Sequence, residues 1–275
     1  VSDADNDVYL LGSFHLLKPT DYPLSPDIDA ALADAEHVMF ELSPEEMTSP
    51  DLGMKMAQAA VRTDGTRLSA SLPPEVATAL AGWMEANREA LSAQGMQPQM
   101  LEVFEPWFVS LMVSVTGMTQ RGLDPELGLD RHIADADTAA GKTTGGLEFG
   151  QEQIAFFDGM DPDEQVQMLA DALSGDQGGA QVDQLHAAWR RGDADALWAG
   201  MAVDMRREYP ALYQRINVDR NDAWVPKLEA RLKQHASDDT LVVVGALHLL
   251  GEDGVVEKLR ARGYRVERVC SACAR

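Results

Sequence analysis

The run Thr240–Gly245 (TLVVVG) carries four consecutive large apolar residues between polar stretches. A strand with one face in water alternates apolar and polar residues, whereas an unbroken apolar run reads as a strand buried on both faces. That places it in a parallel sheet with helices above and below. The residues that follow, Gly245–Leu250 (GALHLL), nearly repeat Gly12–Leu17 (GSFHLL), which itself follows the β-prone run Val8–Leu11. With 22 glycines and six histidines, roughly half of one Gly-x-x-His match is expected by chance, so the repetition alone is mild. Its placement adds weight. Each copy puts glycine where the chain must leave the sheet and a histidine just beyond the strand's carboxyl end.

The opening reads strand, loop, helix, strand: Val8–Leu11, then DIDAALADAE with the acidic start and apolar spacing of an amphipathic helix, then His37–Glu41 (HVMFE). From Ser43 to Asp130 the spacing is helical, with Pro73, Pro74 and Pro98 marking helix starts and PQMLEVFEPWFVSLMVSV reading as one helical stretch. GLDPELGLDRHIADADTAAG reads as a loop plus an amphipathic helix. Lys142–Leu147 reads as a third strand ending at Glu148, and a second helical block runs from about 151 to 235. After TLVVVG come a helix near Val255–Arg262 and a last strand over Tyr264–Val269. No low-complexity linker divides the chain. The expectation is a single α/β domain over residues 1–275, with a mostly parallel central sheet built from both chain ends and large helical insertions at about 43–130 and 151–235.

A formal charge of -22 and a pI near 4.5 argue against a nucleic-acid or anionic-lipid partner, which such a field repels. No apolar run reaches the roughly 18 residues of a membrane span; the strongest, Phe104–Met118, holds Glu105 and Pro106 and reads as a buried helix. The chain begins SDADND after Val1, which fits a trimmed chain or a mature protein after signal removal. Cys270 and Cys273 form a terminal CSAC without a second Cys-x-x-Cys, expected to be a peripheral pair that an oxidising compartment would bridge.

If the sheet is parallel, His15, Glu41, Glu148 and His248 meet in one crevice. An ionised carboxylate buried there without a partner costs about 3 to 5 kcal/mol, and a divalent cation would compensate it. Two imidazoles with one or two carboxylates suit Zn, Mn, Fe or Co better than Mg or Ca. Such an ion lowers the pKa of bound water to about 7 and points to hydrolysis, with either glutamate as ligand or general base. Arg220 and Asn221, in VDRNDAW, could polarise a carbonyl. Plainer readings stand beside these: a histidine after a strand as a loop anchor, a glutamate as a cap, Asp219 or Asn221 capping a helix whose Trp224 enters the core. His37, His186 and His235 read as structural or solvated, and His132 follows a loop that could approach the site. Met54, Met56, Met112, Met118, Met201 and Met205 read as flexible core filler rather than a groove.

These residues resemble the TraB/GumN family, relatives of the animal Tiki metalloproteases. The resemblance runs over nearly the whole chain: LLGSFHLL, VMFEL, GGLEFGQEQIAFFDGM, VDRNDAW and VVVGALHLLGEDGVVEKLRARGYRVE. It implies a metal-dependent hydrolase using Mn, Co or Zn, with proteolysis supported for the Tiki branch. It implies that His15, Glu41, Glu148 and His248 match the metal and catalytic positions. It also implies that Arg220 and Asn221 match a polar motif usually written Glu-Arg-Asn, in which Asp219 takes the first place here. The expectation is a peptidase acting on peptide or protein, outside the cytoplasm. The alternatives are a non-catalytic peptide, pheromone or haem binder, and a hydrolase in which histidine and glutamate activate water without metal.

Overall fold

Strand β4, Thr240–Gly245, is buried at every residue, and its side chains divide by parity between two cores, as the two-residue period of a strand requires. Val242 and Val244 join Trp224, Val225, Leu228, Val255 and Leu259 on one face. Leu241 and Val243 join Leu17, Val38, Phe40, Leu129 and Ile133 on the other. Each fully buried Val or Leu stabilises the fold by about 1.5–3 kcal/mol, so a charged residue anywhere in this strand would break the sheet at its centre.

The computed structural model describes residues 1–2, 5–93, 95–174, 176–234 and 238–271. Its sheet has four strands in the order β1-β4-β2-β3, with β1 at Val8–Ser13, β2 at His37–Phe40 and β3 at Thr143–Gly146. All three pairings are parallel. Ser13 lies opposite Gly245, Phe40 opposite Val243, and Phe40 opposite Gly146, so all four carboxyl ends finish on one edge. Strands from both chain ends form the sheet, with helices around it, as the α/β reading expects.

By internal contacts the chain forms two compact units. One comprises 1–48, 122–150 and 181–275, and holds the sheet; the other comprises 49–121 and 151–180. In the first, the helix Leu129–Ala140 starts at Gly128 and ends at Gly141, whose φ of 67° is a left-handed cap open to glycine. In the helical unit, Ser110 Oγ donates to the Met168 carbonyl at 3.1 Å, and Trp107 stacks on Phe157 at 5.8 Å between ring centroids.

Two expectations are corrected. PQMLEVFEPWFVSLMVSV is not one helix: a 3-10 turn, Pro98–Val103, is separated from the helix Pro106–Gln120. Proline holds the residue before it out of the helical region, and Glu105 accordingly sits at φ -67°, ψ 153°. Tyr264–Val269 forms no strand; Arg265 makes one isolated bridge to Ser2, while Glu267, Arg268 and Val269 are exposed. Tyr264 and Val266 pack on the core without pairing with an edge strand of the sheet. Among the described residues no helix is long and apolar enough to cross a membrane.

Candidate active site

His15 stands two residues beyond the end of β1, in a loop held by the start of the Leu129–Ala140 helix. Leu129 N–H donates to the Phe14 carbonyl at 3.2 Å. A Cβ on Gly128 would lie only 2.0 Å from the His15 carbonyl oxygen, so glycine there permits the close approach. The same helix turn aims Asp130 at the ring: His15 Nδ1–H donates to Asp130 Oδ2 at 2.7 Å. Asp130 is buried, whereas the His15 side chain is 57% exposed. The Asp130 carboxylate outweighs desolvation and raises the His15 pKa to about 9, so the ring is an imidazolium at neutral pH.

Glu41 and Glu148 follow β2 and β3, and pairing continues past the strand ends, with Glu148 N–H donating to the Glu41 carbonyl at 3.0 Å. Arg220 joins the two carboxylates. Its Nε and Nη2 donate to Glu148 Oε2 and Oε1 at 3.0 and 2.6 Å, and Nη2 also donates to Glu41 Oε2. Trp224 supports this fork from below: its Nε1–H donates to Glu148 Oε2 at 3.1 Å, and its ring lies 4.8 Å from the guanidinium carbon. Gly245 N–H donates to Glu41 Oε1 at 2.7 Å. Burial pushes the Glu41 pKa up, but Arg220, then His248 and His15, and the Gly245 N–H together pull it down to about 2.

His248 is the electrostatic opposite of His15. It is buried, with Nδ1–H donating to Asn221 Oδ1 at 2.8 Å and Nε2 receiving Arg220 Nη1–H at 3.0 Å. A ring that donates on one nitrogen and accepts on the other is neutral, and burial above all holds its pKa down, at about 3. Asn221 is fixed in turn by its Nδ2–H donating to the Asp253 carbonyl at 2.8 Å. Arg220 and Asn221 lie in the first turn of the helix Asp219–Gln234, directly after a π-helical turn over Gln214–Val218. Widened turns of this kind recur at functional sites, and here Arg220 Nη1 also donates to the Ile216 carbonyl at 3.1 Å. Asp219 and Asn221 therefore cap no helix start, while Trp224 does enter the core.

The six residues singled out in sequence thus share one neighbourhood. Their donor arrangement is a separate matter. Among the described residues no group of three or more His, Cys, Asp or Glu side chains is placed to hold a metal ion. The physical reason is the guanidinium, which takes hydrogen-bond positions on both carboxylates and on His248 Nε2. In this arrangement the residues do not fit a divalent ion, and the charge that such an ion would neutralise is met by Arg220.

The other histidines lie elsewhere. His37 Nε2 is 3.6 Å from Asp238, His132 packs on Tyr22, and His235 lies outside the described residues. His186 Nε2 is 2.7 Å from the buried Asp21, and Trp189 Nε1 donates to the Gly12 carbonyl at 2.9 Å, pinning the far side of the His15 loop. Cys270 is disulfide-bonded, and Cys273 lies outside the described residues. Sequence reasoning missed Asp130. Its sole local signal is an acidic residue in a first helical turn, which ordinarily pairs with the helix dipole and so singles out nothing.

The family model described as the TraB/PrgY/gumN family matches residues 1–268. The uncharacterized protein YbaP of Escherichia coli (strain K12) is 27% identical over 167 residues, as is that of Shigella flexneri, covering 60% of this chain. The chain spans 60% of the length of those curated relatives. No solved structure matches. With its two Gly-x-x-His segments converging beside Glu41, Glu148 and Arg220, and a family model that covers it almost end to end, the chain belongs to the TraB/PrgY/gumN family.

Proposed function

We propose that this chain is a hydrolase of peptide bonds whose centre is His15, Asp130, Glu41 and Arg220. One observation carries the reading: a carboxylate-held imidazolium and a carboxylate bound by a half-buried guanidinium converge from different strands on the same edge of the sheet. In the proposed reaction the substrate carbonyl oxygen takes an Arg220 N–H, which weakens that group's hold on Glu41 and makes the carboxylate a better base. Water oxygen bonds to the carbonyl carbon as one water proton passes to Glu41. The carbon–nitrogen bond breaks as His15 gives its Nε2 proton to the departing amine, and the proton on Glu41 then restores His15. The products are one carboxylic acid and one amine, which balances water and amide. Glu148, Trp224, Asn221 and His248 keep the guanidinium aimed.

The test is incubation of the purified chain with a mixed peptide library, read by mass spectrometry for new termini. Cleavage should fall about 100- to 10,000-fold in His15→Ala, and cleavage unchanged by that substitution would sink the proposal. The disulfide at Cys270 supports a proposed location outside the cytoplasm.

A second reading keeps a Mn, Co or Zn ion, and one feature favours it. Both imidazoles are pinned through Nδ1, as metal-bound histidines are, leaving Nε2 of each turned toward Glu41. That version requires Arg220 to withdraw from Glu41 and His248. Elemental analysis of protein purified without added metal decides it: metal present in the native chain and lost in His15→Ala favours the ion, equal content in both counts against it.

A further inference from the structure

β1 and β3 are the edge strands of the sheet, and the chain treats them differently. On β1 the outward groups are taken: Val8 exchanges both backbone hydrogen bonds with Val1, and Trp189 Nε1 donates to the Gly12 carbonyl. β3 has no such cover. Leu147 N–H donates to the Phe40 carbonyl at 2.8 Å, so Leu147 faces β2. By the two-residue period Thr143 and Gly145 face β2 as well, and Thr144 and Gly146 turn their N–H and C=O groups outward. Among the described residues none of these outward groups has a hydrogen-bond partner. Gly145 adds a second observation. Its φ is not left-handed, and a Cβ there would meet nothing within 4 Å, so neither the backbone nor the packing requires glycine. Such a glycine weakens a strand by about 0.5–1 kcal/mol, and it marks a place where another backbone draws close.

We infer that the outer edge of β3 is the docking strand for the substrate, an extended peptide that pairs with Thr144 and Gly146 and then crosses the carboxyl edge of the sheet to Glu41. This deepens the hydrolase reading and rests on it. Pairing with an exposed edge recognises a peptide by its extended main chain, with side chains secondary. The route is short: β3 ends at Gly146, just before Glu148, whose carboxylate shares Arg220 with Glu41. Strands lie about 4.8 Å apart, so an added strand is about 10 Å from β2, a span of about three extended residues. The exposed Phe149, next after Glu148, offers the crossing chain an apolar surface. A peptide suits this edge better than a second copy of the chain, because β3 is uncharged whereas two chains of formal charge -22 repel.

The experiment takes the full chain with the mixed peptide library and reads hydrogen exchange at single amides beside cleavage kinetics. Peptide should slow exchange of the Thr144 and Gly146 amides about 10-fold or more, and leave Thr143 and Gly145, already bonded to β2, little changed. Thr144→Pro removes one outward N–H while sparing the ladder to β2. It should raise KM about 10-fold, the loss of one hydrogen bond, with kcat little changed, and peptides shorter than about six residues should be poor substrates. Cleavage with exchange at Thr144 and Gly146 unmoved overturns the inference and leaves the hydrolase reading intact, whether or not the variant folds. An unchanged KM in a folded Thr144→Pro does the same. Slowed exchange without cleavage ends the hydrolase reading and keeps the docking edge, and the absence of both overturns both. Slowing that appears without peptide and grows with chain concentration puts a second copy on β3 and also overturns the inference.

Discussion

The two Gly-x-x-His segments share four letters of pattern and almost nothing of their electrostatics. His15 is exposed and held by a carboxylate, which charges it; His248 is buried and held by the Asn221 amide and the Arg220 guanidinium, which keep it neutral. Both follow neighbouring parallel strands, so the repeated pattern fixes where an imidazole goes. The group at Nδ1 and the extent of burial decide what that imidazole is. The contrast suits a division of labour in which one ring trades protons and the other orients the cation beside it.

The largest expected effect comes from the group that holds both carboxylates. Arg220→Met leaves Glu41 and Glu148 buried without their guanidinium, and should destabilise the chain by about 3–5 kcal/mol in chemical denaturation; a change below about 1 kcal/mol would mean the carboxylates are neutralised some other way. Next comes a carboxylate on the same helix as Asp130. Asp137 is fully buried with neither oxygen hydrogen-bonded, and burial pushes its pKa up to about 6 despite Lys142. The folded state therefore holds this proton more tightly than the unfolded chain does. That contribution to stability is complete below about pH 4 and is lost as pH rises through about 6. Asp137→Asn should remove this part of the pH slope and gain about 3 kcal/mol at pH 8; an unchanged slope would show that Asp137 is solvated.

Two exchanges then sharpen the comparison itself. Asn221→Asp gives His248 the kind of partner His15 has, and should raise its pKa by one unit or more, a change worth about 1.4 kcal/mol per unit, read by NMR titration of the ring. No upward movement would mean that burial and Arg220 alone set the neutral state. The reciprocal change, Asp130→Asn, should return His15 toward its ordinary value. If the imidazolium is the active form, native hydrolysis declines as pH rises through about 9, and that decline should move about one unit or more lower in the variant. A pH profile unmoved by this substitution would remove His15 from the proton path.

Much of the scaffold was legible because its signals are local. Alternation, or its absence, marks a strand over a few residues; a helical face repeats within a turn or two; and a glycine after a strand shows where the chain leaves the sheet. Hence β1 through β4, the helix before β2 and the edge carrying both histidines and both glutamates were all readable. The strand expected over 264–269 failed because alternation of apolar and charged residues sets which face a segment packs on, not whether it pairs with another strand. The break at Pro106 was readable in principle, since proline constrains Glu105, but the apolar spacing on either side concealed it.

By itself the sequence determined the parallel sheet and the arrival of four chemistry-bearing side chains at its carboxyl edge, since these follow from hydrophobic period and chain direction. Only the tertiary structure decided which cation answers Glu41 and Glu148, and which of two like-patterned histidines is charged. Arg220 reaches Glu41 from 179 residues away and Asp130 reaches His15 from 115. Protonation depends on distance and on exclusion of water, and neither exists until those separate segments fold together.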